Sequence, residues 1–181
     1  MGRVSTKKDK NIYQLRREEL GYSREKAAEI LQTISPERIE KIESGKMFPH
    51  PDEVLTMSKE YKMPNMCNYY CSNECPIGKQ YVPEIKIKDL SQIVLEILAS
   101  LNYLQRNQER FIEITADGSI DESEIADFIK IQDELERISV TVETLQLWSE
   151  QMLANNVIDS EIYRKFREKM KNEEKIKADV N

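Results

Sequence analysis

Histidine occurs once in this 181-residue chain, at His50, and glycine only five times. One imidazole leaves little material for acid–base or triad chemistry. The glycines form neither a G-x-x-x-x-G-K nor a G-x-G-x-x-G run, so no loop of that kind can cradle a phosphate. Long apolar runs are missing as well: nothing approaches the roughly 18 residues of a membrane-spanning helix. Met1–Lys10 is polar and basic, with no hydrophobic stretch behind it. Together these absences predict a soluble, cytoplasmic protein that is not an enzyme and has no membrane partner.

What the chain does have is charge, unevenly placed. Residues 1–80 carry 14 Lys and Arg against 12 Asp and Glu, and residues 81–181 carry 13 against 21. An acidic half repels phosphate backbones, so any nucleic-acid contact belongs to the first half. There Arg3, Lys7, Lys8 and Lys10 form a basic arm, which either follows phosphates or is a solvated tail.

Helix punctuation cuts the first half into short segments. Asn11–Leu20 places Ile12, Leu15 and Leu20 on one side and is stopped by Gly21. Ser23 caps a second helix whose face is Ala27, Ala28, Ile30 and Leu31. Ser35 with Pro36 starts a third, with Ile39 and Ile42 inward and Gly45 as its stop. A fourth follows Pro49 and Pro51, with Asp52 and Glu53 where the helix dipole favours negative charge, and runs to about Tyr61. Pro64 opens a short fifth segment that Pro76 and Gly78 end. Five short helices in residues 10–80 make one small domain.

From Ile85 the pattern lengthens. Leu90, Val94, Ile97, Leu101, Leu104 and Phe111 follow steps of four and three, with Gln108 in the remaining slot. Phe128, Ile131, Leu135, Ile138, Val142 and Leu145 repeat the pattern, and Trp148 and Met152 extend it. Asp117-Gly118 makes the turn between them, and Asp121 with Glu124 is a capping box for the second helix. A last helix from about Ser160 has only Ile162, Tyr163, Phe166 and Met170 to bury. The fold class is therefore all-α: a five-helix domain over 10–80, then an acidic helical hairpin, coiled-coil-like, over 85–178. Each seam covers one narrow face, so residues 85–155 are expected to form a homodimer.

The stretch L-R-R-E-E-L-G-Y-S-R-E-K-A-A-E-I-L followed by S-P-E-R-I-E-K-I-E-S-G-K resembles the phage-repressor, Cro-like or xenobiotic-response-element (XRE) class of helix-turn-helix domains. Leu15, Gly21, Ser23, Ala28, Leu31, Ser35, Ile39, Ile42, Glu43, Gly45 and Lys46 carry the match, over about residues 11–65. The resemblance implies a bundle that docks its third helix in the major groove of double-stranded DNA and acts as a dimeric transcription regulator. It makes Ser23–Leu31 the positioning helix and Ser35–Ser44 the recognition helix. Arg24, Glu37, Arg38, Lys41 and Lys46 become the DNA-binding positions, with Arg38 the base reader through a bidentate pair with guanine, and Glu43 a structural acid. The turn Gln32–Thr33–Ile34 is one residue longer than the family's and lacks its glycine. Glu37 and Glu40 bring negative charge to the recognition helix, which leaves open a second reading, a protein-interaction adaptor on the same scaffold.

Cys67, Cys71 and Cys75 follow one another at spacings of four, on one face if the segment is helical. With His50 they could form a three-thiolate, one-imidazole zinc site, and Cys75-Pro76 is compatible with an iron–sulfur ligand. The alternative is a stripe of reduced, buried cysteines. A metal- or redox-responsive switch would overlay either function.

Overall fold

The computed structural model describes residues 10–180. Among them are nine helices and no strand: α1 Ile12–Glu19, α2 Arg24–Leu31, α3 Pro36–Glu43, α4 Pro51–Glu60, α5 Asn65–Asn73, α6 Gly78–Tyr81, α7 Leu90–Thr115, α8 Ile125–Ala154 and α9 Ser160–Val180. They group into two compact units, residues up to Tyr70 together with those from Ser149 onward, and Cys71–Trp148. These units are cut differently from the composition boundaries of 10–80 and 85–178. Gln151, in the last turn of α8, donates its Nε2 to the Lys62 carbonyl at 3.1 Å, which ties the end of that helix into the first unit.

In the first unit α1, α2 and α3 each begin on a side-chain cap. Asn11 Oδ1 accepts from the Gln14 N–H at 3.0 Å, Ser23 Oγ from Lys26 N–H at 3.1 Å, and Ser35 Oγ from Arg38 N–H at 3.2 Å. α1 and α3 end alike. Gly21 at φ 71° and Gly45 at φ 72° take the left-handed conformation, and the next residue's N–H reaches back to the carbonyls of Arg17 and Lys41 respectively.

The amphipathic faces of these helices meet in one core of Tyr13, Ala27, Leu31, Ile34, Ile39, Ile42, Val54, Met57, Tyr61 and Met66. Beside it lies an ionic knot. Arg17 on α1 donates through Nε and Nη2 to the two carboxylate oxygens of Glu43 on α3. Arg24 Nε on α2 reaches Glu43 Oε2 at 2.9 Å. Glu43's side chain is only 2% exposed, and two guanidiniums compensate its removal from water. The family-like acid is thus the bolt joining α1, α2 and α3.

The second unit is organised differently. Gly78 passes so close to α5 that a Cβ there would stand 2.1 Å from the Cys71 carbonyl oxygen, so only glycine fits. α7 and α8 run antiparallel around a turn in which Asp121 and Glu124 form the expected reciprocal cap, Glu124 N–H to Asp121 Oδ1 at 3.1 Å and Asp121 N–H to Glu124 Oε2 at 3.2 Å. Arg110 Nε pairs with Asp127 across the turn at 2.8 Å. The seam expected between them is not what they bury. Ser100, Glu134, Thr141 and Thr144 are buried together with Ile93, Ile114 and Leu147. Leu90, Val94, Leu101, Leu135 and Val142 lie at least 40% exposed. At about 100° per residue, Leu90, Val94 and Leu101 fall within about 40° of one another, so α7 presents them as one outward stripe. On α9, Ile162, Phe166 and Met170 are also exposed.

Candidate nucleic-acid interface

α2 packs against α3, and Ile34 in the turn between them is buried with Leu31 and Ile39. This turn fixes the angle at which α3 leaves the bundle. Gln32 pays for it in backbone conformation: as C-cap of α2 it takes φ 58°, a region where the absence of a Cβ is an advantage. With Ile39, Ile42 and Glu43 facing inward, α3 turns Glu37, Glu40 and Lys41 to solvent.

The two arginines on this surface are both engaged. Arg38 grips Glu53 of α4 with two parallel bonds, Nε to Oε1 and Nη2 to Oε2, each 2.7 Å. Its Nη2 also donates to the Phe48 carbonyl at 3.0 Å. The same Glu53 accepts the His50 N–H at 2.7 Å, so one carboxylate both opens α4 and holds Arg38. The Arg38 guanidinium first, then the His50 N–H, holds the Glu53 carboxyl below the usual range, against the opposing effect of partial burial. Arg24 leans on Glu43, as described above.

The remaining candidates are exposed. Lys46 Nζ stands 3.6 Å from Glu40 Oε1. Lys41 makes no ion pair among the described residues and lies one turn from Glu37. Glu37, in the first turn of α3, is held below the usual carboxylate range by its own backbone N–H and then by the Ser35 hydroxyl. Of the candidate cations, Arg24, Arg38 and Lys46 each face a carboxylate. Lys10, the one described member of the basic arm, is paired with Glu18 at 2.6 Å, and Arg3, Lys7 and Lys8 lie outside the described residues.

The family model described as Helix-turn-helix matches residues 12–64, which span α1–α4. This segment is an XRE-class helix-turn-helix domain. It belongs to a DNA-binding, transcription-regulating class and occupies less than a third of the chain. No curated protein and no solved structure matches the chain.

The helix-turn-helix domain gives the cysteines no metal-binding neighbours. Cys67 packs partly buried against its core, Cys71 lies further along α5, and Cys75 comes after the helix has ended, its Sγ accepting the Gly78 N–H at 3.5 Å. His50 is exposed as the N-cap of α4. Among the described residues no group of three or more His, Cys, Asp or Glu is placed to hold a metal ion, and none of the three thiols forms a disulfide. The set expected for zinc or an iron–sulfur cluster is not assembled, because α5 stops before Cys75. Among the described residues no helix is long and apolar enough to cross a membrane.

Sequence reasoning placed Arg38 on the exposed face of its helix and missed its partner. The signal was present in H-P-D-E: a glutamate three residues after a helix start is set to face back toward the N-cap. That carboxylate is also within reach of an arginine one helix earlier, a relation that sequence separation does not display.

Proposed function

We propose that the chain is a sequence-specific DNA-binding transcription regulator that acts as a homodimer through residues 85–155. The observation that carries this reading is the helix-turn-helix domain itself, with α3 capped, wedged at a fixed angle and turned outward. In this reading α3 enters the major groove, Lys41 and Lys46 meet phosphates, and Arg24 flanks them from α2. Arg38 reads guanine by exchange: the fork that holds Glu53 has the geometry that would hold O6 and N7 of a guanine. Each specific contact then replaces an existing ion pair, so only the correct base compensates its loss.

The second subunit follows from the exposed apolar stripes of α7 and α8. Both helices carry leucine or valine at coiled-coil spacing on faces that the hairpin leaves in water, and a second copy offers the matching stripe by symmetry. Two α3 helices would then read half-sites about one turn of DNA apart.

One observation favours the adaptor reading instead. Glu53 neutralises Arg38, the Glu43 carboxylate is shared between Arg17 and Arg24, and Glu37 and Glu40 offset Lys41 and Lys46, so the surface has little net attraction for phosphate. Selection of bound sequences from a random DNA pool, with the full chain at two salt concentrations, separates the two. An enriched motif with two half-sites and affinity falling with salt supports the regulator. A pool that stays random, with no salt-dependent retention, supports the adaptor.

A further inference from the structure

On α9, Ile162, Phe166 and Met170 follow one another at steps of four and are 58, 59 and 62% exposed. At about 100° per residue they share one face, within about 80° of one another. Arg164, Arg167 and Lys171 fall together along one flank of that face, and Glu161 and Glu168 lie on the far side of the helix. Arg167 rests over the Tyr163 ring at 5.9 Å, and neither Arg164 nor Lys171 makes an ion pair among the described residues. Glu173, at the end of the face, lies 3.9 Å from Lys169. The helix therefore offers an apolar ridge edged by unpaired cations.

α8 offers the reverse. Leu135 and Val142 are exposed, one heptad apart. Glu136 and Glu143 stand beside them at the same spacing, and Glu150 extends the row. None of these glutamates makes an ion pair among the described residues; Arg137, next in sequence to Glu136, is turned to the buried Glu134 at 3.1 Å. Glu136 to Glu143 and Arg164 to Lys171 are both seven residues, about 10.5 Å of helix. Each charged row is displaced in the same rotational sense from its apolar ridge. Antiparallel helices pressed ridge to ridge would thus bring these acids against these cations. Two antiparallel copies of α8 would instead set their glutamate rows together, and like charges across an interface oppose association.

We infer that α9 of one copy docks antiparallel on α8 of a second copy. Phe166 and its neighbours cover Leu135 and Val142, while Arg164 and Lys171 meet Glu136 and Glu143. The inference rests on the homodimer reading and adds α9 to that interface. By two-fold symmetry the contact forms twice in each dimer.

Sedimentation equilibrium on the full chain tests it with charge exchange. Glu136→Lys combined with Glu143→Lys, and separately Arg164→Glu combined with Lys171→Glu, place like charges at both contacts, so each should raise the dimer Kd about tenfold or more. Mixed in equal amounts, the two double variants should recover the wild-type Kd. Their heterodimer has one contact of wild-type charge and one with both signs exchanged. Circular dichroism should show unchanged helicity, since the replaced side chains give up no ion pair within one chain. If a double variant does lose helicity, Phe166→Asp decides: a raised Kd supports the docking, and an unchanged Kd overturns it. Double variants that dimerise like wild type overturn the inference and leave the dimer through residues 85–155 standing. A mixture no tighter than its separate components also overturns it, because the charges would then act within one chain. A monomeric wild-type chain removes the homodimer reading and this inference together.

Discussion

In the first unit Tyr13, Leu31, Ile39, Ile42 and Met57 are withdrawn from water and the deeply buried carboxylate of Glu43 meets two arginines. In the second, Ser100, Thr141, Thr144 and an incompletely partnered Glu134 are withdrawn from water, while Leu101 and Leu135 stay more than half exposed. In the bundle of α1–α4 the buried faces meet in one core and its most deeply buried carboxylate is paired. A hairpin that turns its leucines outward and its polar groups inward has left both surfaces to something else. The same residue types at the same helical spacings thus form a closed core in one unit and an exposed stripe in the other.

The largest effect should come from breaking the finished half at its bolt. Glu43→Ala leaves the buried Arg17 guanidinium beside Tyr61 with only the more distant Glu18 carboxylate, 3.8 Å from its Nη2, and removing one partner of a buried pair costs about 3–5 kcal/mol. Urea unfolding followed by circular dichroism should show the loss. A change below about 1 kcal/mol would mean that water reaches Arg17, and that the first unit is less closed than its packing indicates.

Next come the outward stripes of the unfinished half. Leu101→Asp or Leu135→Asp puts a charge where a second copy would exclude water, at a cost of about 3 kcal/mol or more, or a hundredfold in the dimer Kd. Because both side chains are already exposed in one chain, the helical content should hardly change. Sedimentation equilibrium at micromolar concentration reads the shift from dimer to monomer. A wild-type chain that is monomeric under those conditions would remove the homodimer from the proposal.

This contrast also separates what the sequence disclosed from what it withheld. Caps and stops were legible residue by residue: Ser23, Ser35, Gly21 and Gly45 act locally, within four residues of the backbone they satisfy, so their meaning lies in their neighbours. The stripe Leu90, Val94, Leu101 was legible as a stripe. Its direction was not, because periodicity fixes which residues share a face and says nothing about what that face meets. Arg38 was legible as exposed on its own helix, but Glu53, fifteen residues on, occupies it. The cysteine spacing promised one face of one helix, and α5 ends at Asn73 before the third thiol.

A smaller effect probes the Arg38–Glu53 clamp, which links the stability of the first unit to its DNA surface. Glu53→Gln releases the Arg38 fork. If Arg38 reads guanine by exchange, this variant should bind its selected DNA more tightly, by roughly 1 kcal/mol, while Arg38→Ala weakens it by roughly 1–3 kcal/mol and relaxes one operator position. Equal loss on selected and random DNA would make Arg38 a phosphate contact instead. The clamp also has a pH signature. Glu53 is held below its unfolded pKa of about 4.3, so its contribution is complete above that pH and is lost as pH falls through the lower folded value. Thermal unfolding from pH 6 to 3 should therefore show a steeper fall in wild type than in Glu53→Gln.

The smallest effect lies in the turn between α2 and α3. Gln32 is exposed, holds φ 58° and lacks the glycine that its family's turn carries, so the chain bears strain there of about 1 kcal/mol. Its side chain makes no hydrogen bond among the described residues that a substitution would sacrifice. Gln32→Gly should relieve the strain, partly offset by the greater freedom of glycine in the unfolded chain, and leave a net gain of up to about 1 kcal/mol. Gln32→Val, β-branched and unsuited to positive φ, should lose at least as much. If both variants unfold at the wild-type urea midpoint, the turn is unstrained and the extra residue simply lengthens it. If glycine stabilises the fold but weakens DNA binding, the strain at Gln32 is what sets the angle of α3, and the finished half has given up stability for the position of its recognition helix.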